Sequence, residues 1–160
     1  MRLTTLAVAL IPALSIAGSA VARSPVNCQA SSTAEIERQF SAFNAAWATK
    51  DPDKVARLFT RDAVLLPTVS NKTRTSPESV RDYFVSFLKK NPSARIDTST
   101  IKLDCKTASR VGEWTVTLKD DSGASQDVKA RYSFIYRFDR GSWKIDHLHS
   151  SMMPEKNETK

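Results

Sequence analysis

Residues 128–138, VKARYSFIYRF, alternate strictly enough to dictate how the second half of this chain folds. Val128, Ala130, Tyr132, Phe134, Tyr136 and Phe138 fall on one face of an extended strand, and Lys129, Arg131, Ser133 and Arg137 fall on the other. Asp139-Arg140-Gly141 supplies a hairpin turn, and Trp143–Ser151 forms the returning strand. Upstream, Val111–Lys119 puts Trp114, Val116 and Leu118 on one face, and Arg95–Lys102 is a weaker alternator. A sheet this apolar on one side needs a cover.

The first half of the chain supplies that cover in helical period. Ser32-Thr33-Ala34-Glu35 is a capping box, after which Ile36, Phe40, Phe43 and Trp47 recur on one helical face. Asp51-Pro52 caps and opens a shorter helix with Val55, Leu58 and Phe59 inward. Asp62–Pro67, DAVLLP, reads as a buried strand preceded by a turn at Asp62. Ser76-Pro77-Glu78 starts a third helix carrying Val80, Tyr83, Phe84, Phe87 and Leu88, and Asn91-Pro92 ends it. Three helices, one inserted strand and a run of antiparallel strands give an α+β order, with helices on one face of a strongly curved sheet.

The N-terminus has a different logic. MRLTTLAVALIPALSIAGSAVARS starts positive at Arg2, runs apolar from Leu3 to Ala17 and ends small at Ala20-Val21-Ala22, the order of a cleavable secretory leader. The expected organisation is a leader over 1–22, a tail over 23–31 carrying Cys28, one domain over 32–154 and a short tail over 155–160. That domain is long enough for one real core and too short for two. No membrane span is expected after cleavage, and the mature protein is expected to be periplasmic or secreted. In an oxidising compartment Cys28 and Cys105, with no other cysteine present, are expected to form one disulfide tying the N-terminus to a strand in the middle of the domain. The formal charge of +7 is dispersed, with no basic run longer than Lys89-Lys90, which argues for a solvated basic surface rather than a nucleic-acid partner.

The order helix, DPDKVARLF, DAVLLPTVSN, SPESVRDYF, ARYSFIYRFDRGSWKI and HLHSSMMP resembles the nuclear transport factor 2-like (SnoaL-like) superfamily. Within it the chain is similar to exported bacterial relatives of the calcium/calmodulin-dependent protein kinase II association domain. The resemblance spans Ser32 to Pro154, and its most specific part is Trp143 after the turn, then His147, His149, Ser151 and Pro154. Cys28 and Cys105 fit the exported subgroup. The resemblance implies a cone-shaped, cystatin-like fold whose helices and sheet enclose a pocket, while the sheet's other side serves dimers. Such domains form larger rings in the kinase. The expected partners are therefore a second copy and a small ligand, anionic where arginines reach the cavity as they do in association domains. No cofactor is implied.

Both histidines, His147 and His149, lie in SWKIDHLHSSMMP. Two residues apart on a strand, they share a face, which the strand period also assigns to Trp143 and Ile145. As a metal site they lack further ligands, so no metal is expected. They are the candidate bases if the protein is an isomerase, dehydratase or cyclase, with Arg131 or Tyr83 polarising the substrate. The alternative places them in a sheet wall or dimer face. The first helix offers Phe40, Phe43 and Trp47 where an isomerase needs acidic donors, so the leaning is to a module without catalytic residues. The candidate ligand contacts are Trp47, Tyr83, Arg131 and His149. Arg131 is the anion contact among them, because Ser150 stands where the family has an arginine directly after the histidines.

Overall fold

The computed structural model describes Cys28 and residues 31–154. The expected leader, the rest of the tail before Ser31 and the tail after Pro154 lie outside the described residues. The elements run α1 (Thr33–Ala48), α2 (Pro52–Ala56), β1 (Phe59–Leu66), α3 (Pro77–Phe87), β2 (Ser93–Leu103), β3 (Thr107–Lys119), β4 (Ser125–Asp139) and β5 (Ser142–Met152), with one 3-10 turn at Leu88–Lys90. The five strands form one curved sheet in the order β1-β5-β4-β3-β2, antiparallel except for β1 beside β5.

Local chemistry sets the helix starts. Ser32 is extended, and its hydroxyl accepts from the Glu35 N–H at 3.2 Å. Asp51 Oδ1 accepts from the N–H groups of Asp53 and Lys54 with Pro52 at the first helical position. Ser76 and Ser79 exchange side-chain-to-backbone bonds at the start of α3. The second helix is shorter than its apolar spacing predicts. It ends at Ala56, and Phe59 already belongs to β1, because the Leu58 carbonyl is claimed by the Ile145 N–H at 2.8 Å. Asp62 likewise lies inside β1 rather than in a turn, with its carboxylate paired to Arg137.

The helices pack on the inner face of the sheet. Phe134 is fully buried, and its ring meets Phe40, Phe43, Trp114, Tyr132 and Tyr136 at centroid separations of 5.6–6.4 Å. Each such ring contributes about 1.5–3 kcal/mol by leaving water. Asn44 pins α1 to β2 by treating Ala94 as a strand partner, donating to its carbonyl at 2.9 Å and accepting from its N–H at 3.1 Å. Gly112 lets β2 cross close over β3, since a Cβ there would sit 2.1 Å from the Thr98 carbonyl oxygen.

Cys28 and Cys105 are joined, with their Cα atoms 4.5 Å apart. Cys105 lies in the turn between β2 and β3, not in a strand as the sequence implied. A bridge across 77 residues restricts the unfolded chain by about 4 kcal/mol at most.

The alternation of β4 holds along its length, with Ala130, Tyr132, Phe134 and Tyr136 buried. Strand β5 departs from its expected period. Tyr136 pairs with Ile145 and Ile135 with His147, so Asp146 is an extra residue that flips the strand's alternation. Trp143 and Ile145 point inward before it, and Leu148 and Ser150 point inward after it. His147 and His149 therefore do not share a face with Trp143 and Ile145; they lie on the outer side of the sheet. Side chains from the two neighbouring strands hold the bulge: Asp146 Oδ1 accepts from Thr60 Oγ1 of β1 at 3.0 Å and from Arg137 Nη2 of β4 at 2.8 Å.

Candidate functional site

The inner ends of β1, β5 and β3 and the inward faces of α1 and α3 enclose a narrow cavity. Its walls are aromatic: Phe43, Trp47, Tyr83, Phe84, Phe87 and Trp114. The space open to a water molecule's centre is about 20 Å³, room for about one water. Helical period brings Trp47 and Tyr83 here, as expected, one from α1 and one from α3.

Few polar groups face this space. Ser150 Oγ accepts from Trp114 Nε1 at 3.0 Å and from the Thr68 hydroxyl, which joins β3, β5 and the segment after β1 across the cavity floor. Trp47 Nε1 is buried without a partner. Burial pushes the Tyr83 phenol far above its ordinary pKa, against the opposing effect of Arg74, so it stays protonated and can only donate or accept a hydrogen bond. The wall contains no carboxylate, imidazole, ammonium or guanidinium group among the described residues.

The remaining sequence candidates lie elsewhere. Arg131 and His149 are exposed on the outer face of the sheet, where they share a shallow recess with Ser133 and Ser151. The sheet itself separates them from Trp47 and Tyr83, so the four expected ligand contacts do not form one site. His147 is half-buried beside Val64 of β1 and Ile135 of β4. Its pKa is lowered, first by burial and then by His149, against the pull of Asp146. Neither imidazole reaches the cavity, and no metal-ligating cluster of three or more groups occurs among the described residues. Farther along this face Arg137 bridges Asp62 and Asp146, and its hydrogen bond holds the Asp62 carboxyl below the usual range.

Sequence reading passed over two other arginines. Arg110 is buried on the inner face, with its guanidinium 5.5 Å from the Phe40 ring centroid, Nε donating to Ser99 at 2.9 Å and Nη1 without a partner. Arg74 stands at the cavity mouth, 5.8 Å from the Tyr83 ring centroid. The inward period of β3 was the available signal for Arg110. Nothing periodic marks Arg74, which lies in the connection between β1 and α3. Ser150 was visible in sequence only as a missing arginine; its role as the acceptor for a buried indole N–H depends on the bulge at Asp146.

Comparison with known proteins completes the description. The family described as calcium/calmodulin dependent protein kinase II association domain matches residues 32–154. A search of curated proteins finds no significant match. Among solved structures, the chain is similar to a putative calcium/calmodulin dependent protein kinase II association domain from Xanthomonas campestris, with 42% identity, a TM-score of 0.75 and coverage of 83% of this chain and 99% of that one. An NTF2-like protein with a cystatin-like fold from Novosphingobium aromaticivorans has 11% identity and a TM-score of 0.64, over 78% and 83% of the two chains. A putative dehydratase from the NTF2-like family of Streptomyces avermitilis has 12% identity and a TM-score of 0.67, over 76% and 96%. The last two show the fold alone.

Proposed function

The chain belongs to the calcium/calmodulin dependent protein kinase II association domain family, and from that premise we propose an exported, self-associating module that binds a small apolar ligand in its aromatic cavity and does no chemistry on it. The observation that carries this reading is the cavity wall. Six aromatic side chains, the hydroxyls of Thr68, Tyr83 and Ser150, and one unpartnered indole N–H are a surface for stacking and for a few polar contacts. Proton transfer needs a base within hydrogen-bonding reach of the substrate, and the wall offers none near neutral pH. The imidazoles that would serve an isomerase or dehydratase face the other way.

The outer face of the sheet supports self-association. Val64 and Leu66 of β1, Val111 of β3 and Ile135 of β4 lie on it with the two histidines, a mixed surface suited to a second copy. Export is supported by the leader-like N-terminus and by the disulfide between Cys28 and Cys105. Among the described residues no helix is long and apolar enough to cross a membrane.

Trp47 and Trp114 sit in the cavity wall, so indole fluorescence reports on its contents. The closed cavity holds about one water, so a ligand enters as the aromatic wall opens around it; titration of the mature protein with 2-naphthylmethanol is expected to quench that emission saturably, and W47A is expected to abolish the response. Absence of saturable quenching in the wild type defeats the binding reading. Sedimentation equilibrium at about 10 µM is expected to give a dimer, and a monomer at that concentration defeats the association reading.

A further inference from the structure

The outer face of the sheet holds both imidazoles of the chain on one strand, and the bulge at Asp146 places them there. Beyond the bulge Leu148 and Ser150 are buried inward, while His147 and His149 stand outward with one residue between them. Successive same-face residues of a strand are about 6.5–7 Å apart at Cα, a spacing from which two imidazoles can turn onto one ion. His149 is near enough to disfavour a proton on His147. Their flanks are apolar or hydroxylic: Val64 and Leu66 pair with them from β1, Ile135 and Ser133 from β4.

One copy stops at two ligands. Among the described residues no third His, Cys, Asp or Glu joins them, and the Asp146 carboxylate is committed to Thr60 and Arg137. A twofold dimer changes the count. In an isologous interface the same patch of two copies is opposed across one axis, so a residue near the axis meets its own duplicate. His147 and His149 lie mid-strand on β5, in register with Ile135 and Ser133 of β4, the middle strand of the five. Packed sheets stand about 10 Å apart, which puts a point on the axis about 5 Å from each sheet. That is within the length of an imidazole side chain.

We propose that the outer face carries a metal site shared by two copies, in which His147 and His149 of each chain bind one divalent cation of the zinc or copper class through four imidazole nitrogens. One chain lacks the ligands for a closed site, as its sequence indicated; two chains together have them. Imidazole suits both metals, and the set contains no thiolate to favour copper(I). The local charge permits a cation. Arg131 shares the recess beside His149, but Glu113 lies opposite Arg131 in register on β3 and makes no ion pair among the described residues. An ion that needs both copies binds the dimer and not the monomer, so it tightens association by mass action. The inference rests on the self-association reading above and adds what joins the two copies.

The test strips the mature protein with EDTA and dialyses it against buffer alone, zinc chloride or copper sulfate. Atomic absorption counts the bound metal, and sedimentation equilibrium gives the dimer constant. Zinc or copper is expected to bind at about half an equivalent per chain and to tighten the dimer at least about tenfold. H147Q and H149Q each leave one imidazole per copy and are expected to lose that tightening, whereas R140Q at the β4–β5 turn is expected to keep it. Thermal melts in EDTA establish that each variant is folded. A chain that is monomeric in EDTA and dimeric with metal supports the site and makes association conditional on the ion. A dimer indifferent to both metals, or one whose tightening survives H149Q, overturns the site and leaves the association reading standing. Binding of one ion per chain without tightening marks an adventitious surface chelate and overturns it too. A chain that stays monomeric with and without metal defeats both readings.

Discussion

Strands β4 and β5 present two faces a few ångströms apart, and the contrast between them holds most of what this protein teaches. The inner face is built of Tyr132, Phe134, Tyr136, Ile145 and Leu148 and carries a cavity with no titratable group except a phenol. The outer face carries Arg131, Arg137, His147 and His149. A reader looking for chemistry is drawn to the second set, yet the enclosed space lies behind the first. Side-chain reactivity and enclosure have been separated by one sheet.

The largest expected effect tests the inner face as the source of stability. Phe134 and Ile135 are neighbours in β4 with opposite orientations, one fully buried and one only partly so. Truncation of Phe134 to Ala removes a ring from the middle of the aromatic cluster and is expected to cost about 3–5 kcal/mol in urea denaturation. I135A is expected to cost less than about 1 kcal/mol when the protein is dilute enough to be monomeric. Equal losses at the two sites would show that the faces are not energetically distinct.

A middle-sized effect asks whether the cavity floor is polar by design. In S150A, the Trp114 N–H and the Thr68 hydroxyl lose their shared acceptor in a buried setting. The expected cost is about 1–3 kcal/mol, accompanied by a red shift of Trp emission as water enters to satisfy the indole. A silent substitution would mean that the floor already admits water.

How much of this contrast the sequence displays follows from its physical origin. Caps at Ser32, Asp51 and Ser76, the helical spacing of Phe40, Phe43 and Trp47, and the alternation of β4 are local, and each is visible in a few consecutive residues. The face on which His147 lies is not local. It depends on Asp146, which carries no glycine or proline signal and whose carboxylate is anchored by Thr60, distant along the chain, and by Arg137 across the β4–β5 hairpin. Strand period alone therefore put the histidines on the wrong side relative to Trp143 and Ile145. Arg74 was invisible for a related reason: its place depends on pairing with Leu65 and on the α3 face that brings Tyr83 beside it.

The smallest effect, and the one that bears on the outer face, is the pH dependence of His147. The groups around it are Val64 and Ile135 across the strands, and His149 and Asp146 on its own strand, with Arg137 paired to that aspartate. Burial first, and His149 second, lower its pKa below the ordinary 6.5, so the folded protein prefers the neutral ring. The unfolded chain then binds its proton first as pH falls. Stability linked to His147 is complete above about pH 6.5 and is lost as pH drops through the lower, folded value. The carboxyls of Asp53, Asp62, Asp97 and Asp120 are lowered as well, but their contribution disappears only in the more acidic carboxylate range, so the two effects separate along the pH axis. The urea midpoint of monomeric wild type is expected to decline slightly from about pH 7.5 to about pH 5, and H147Q is expected to flatten that decline. A second copy seated on the outer face would bury the ring further and disfavour its charge more strongly. The decline should then steepen with protein concentration in the wild type and not in H147Q. A slope that is the same at all concentrations would place the association surface away from the histidines.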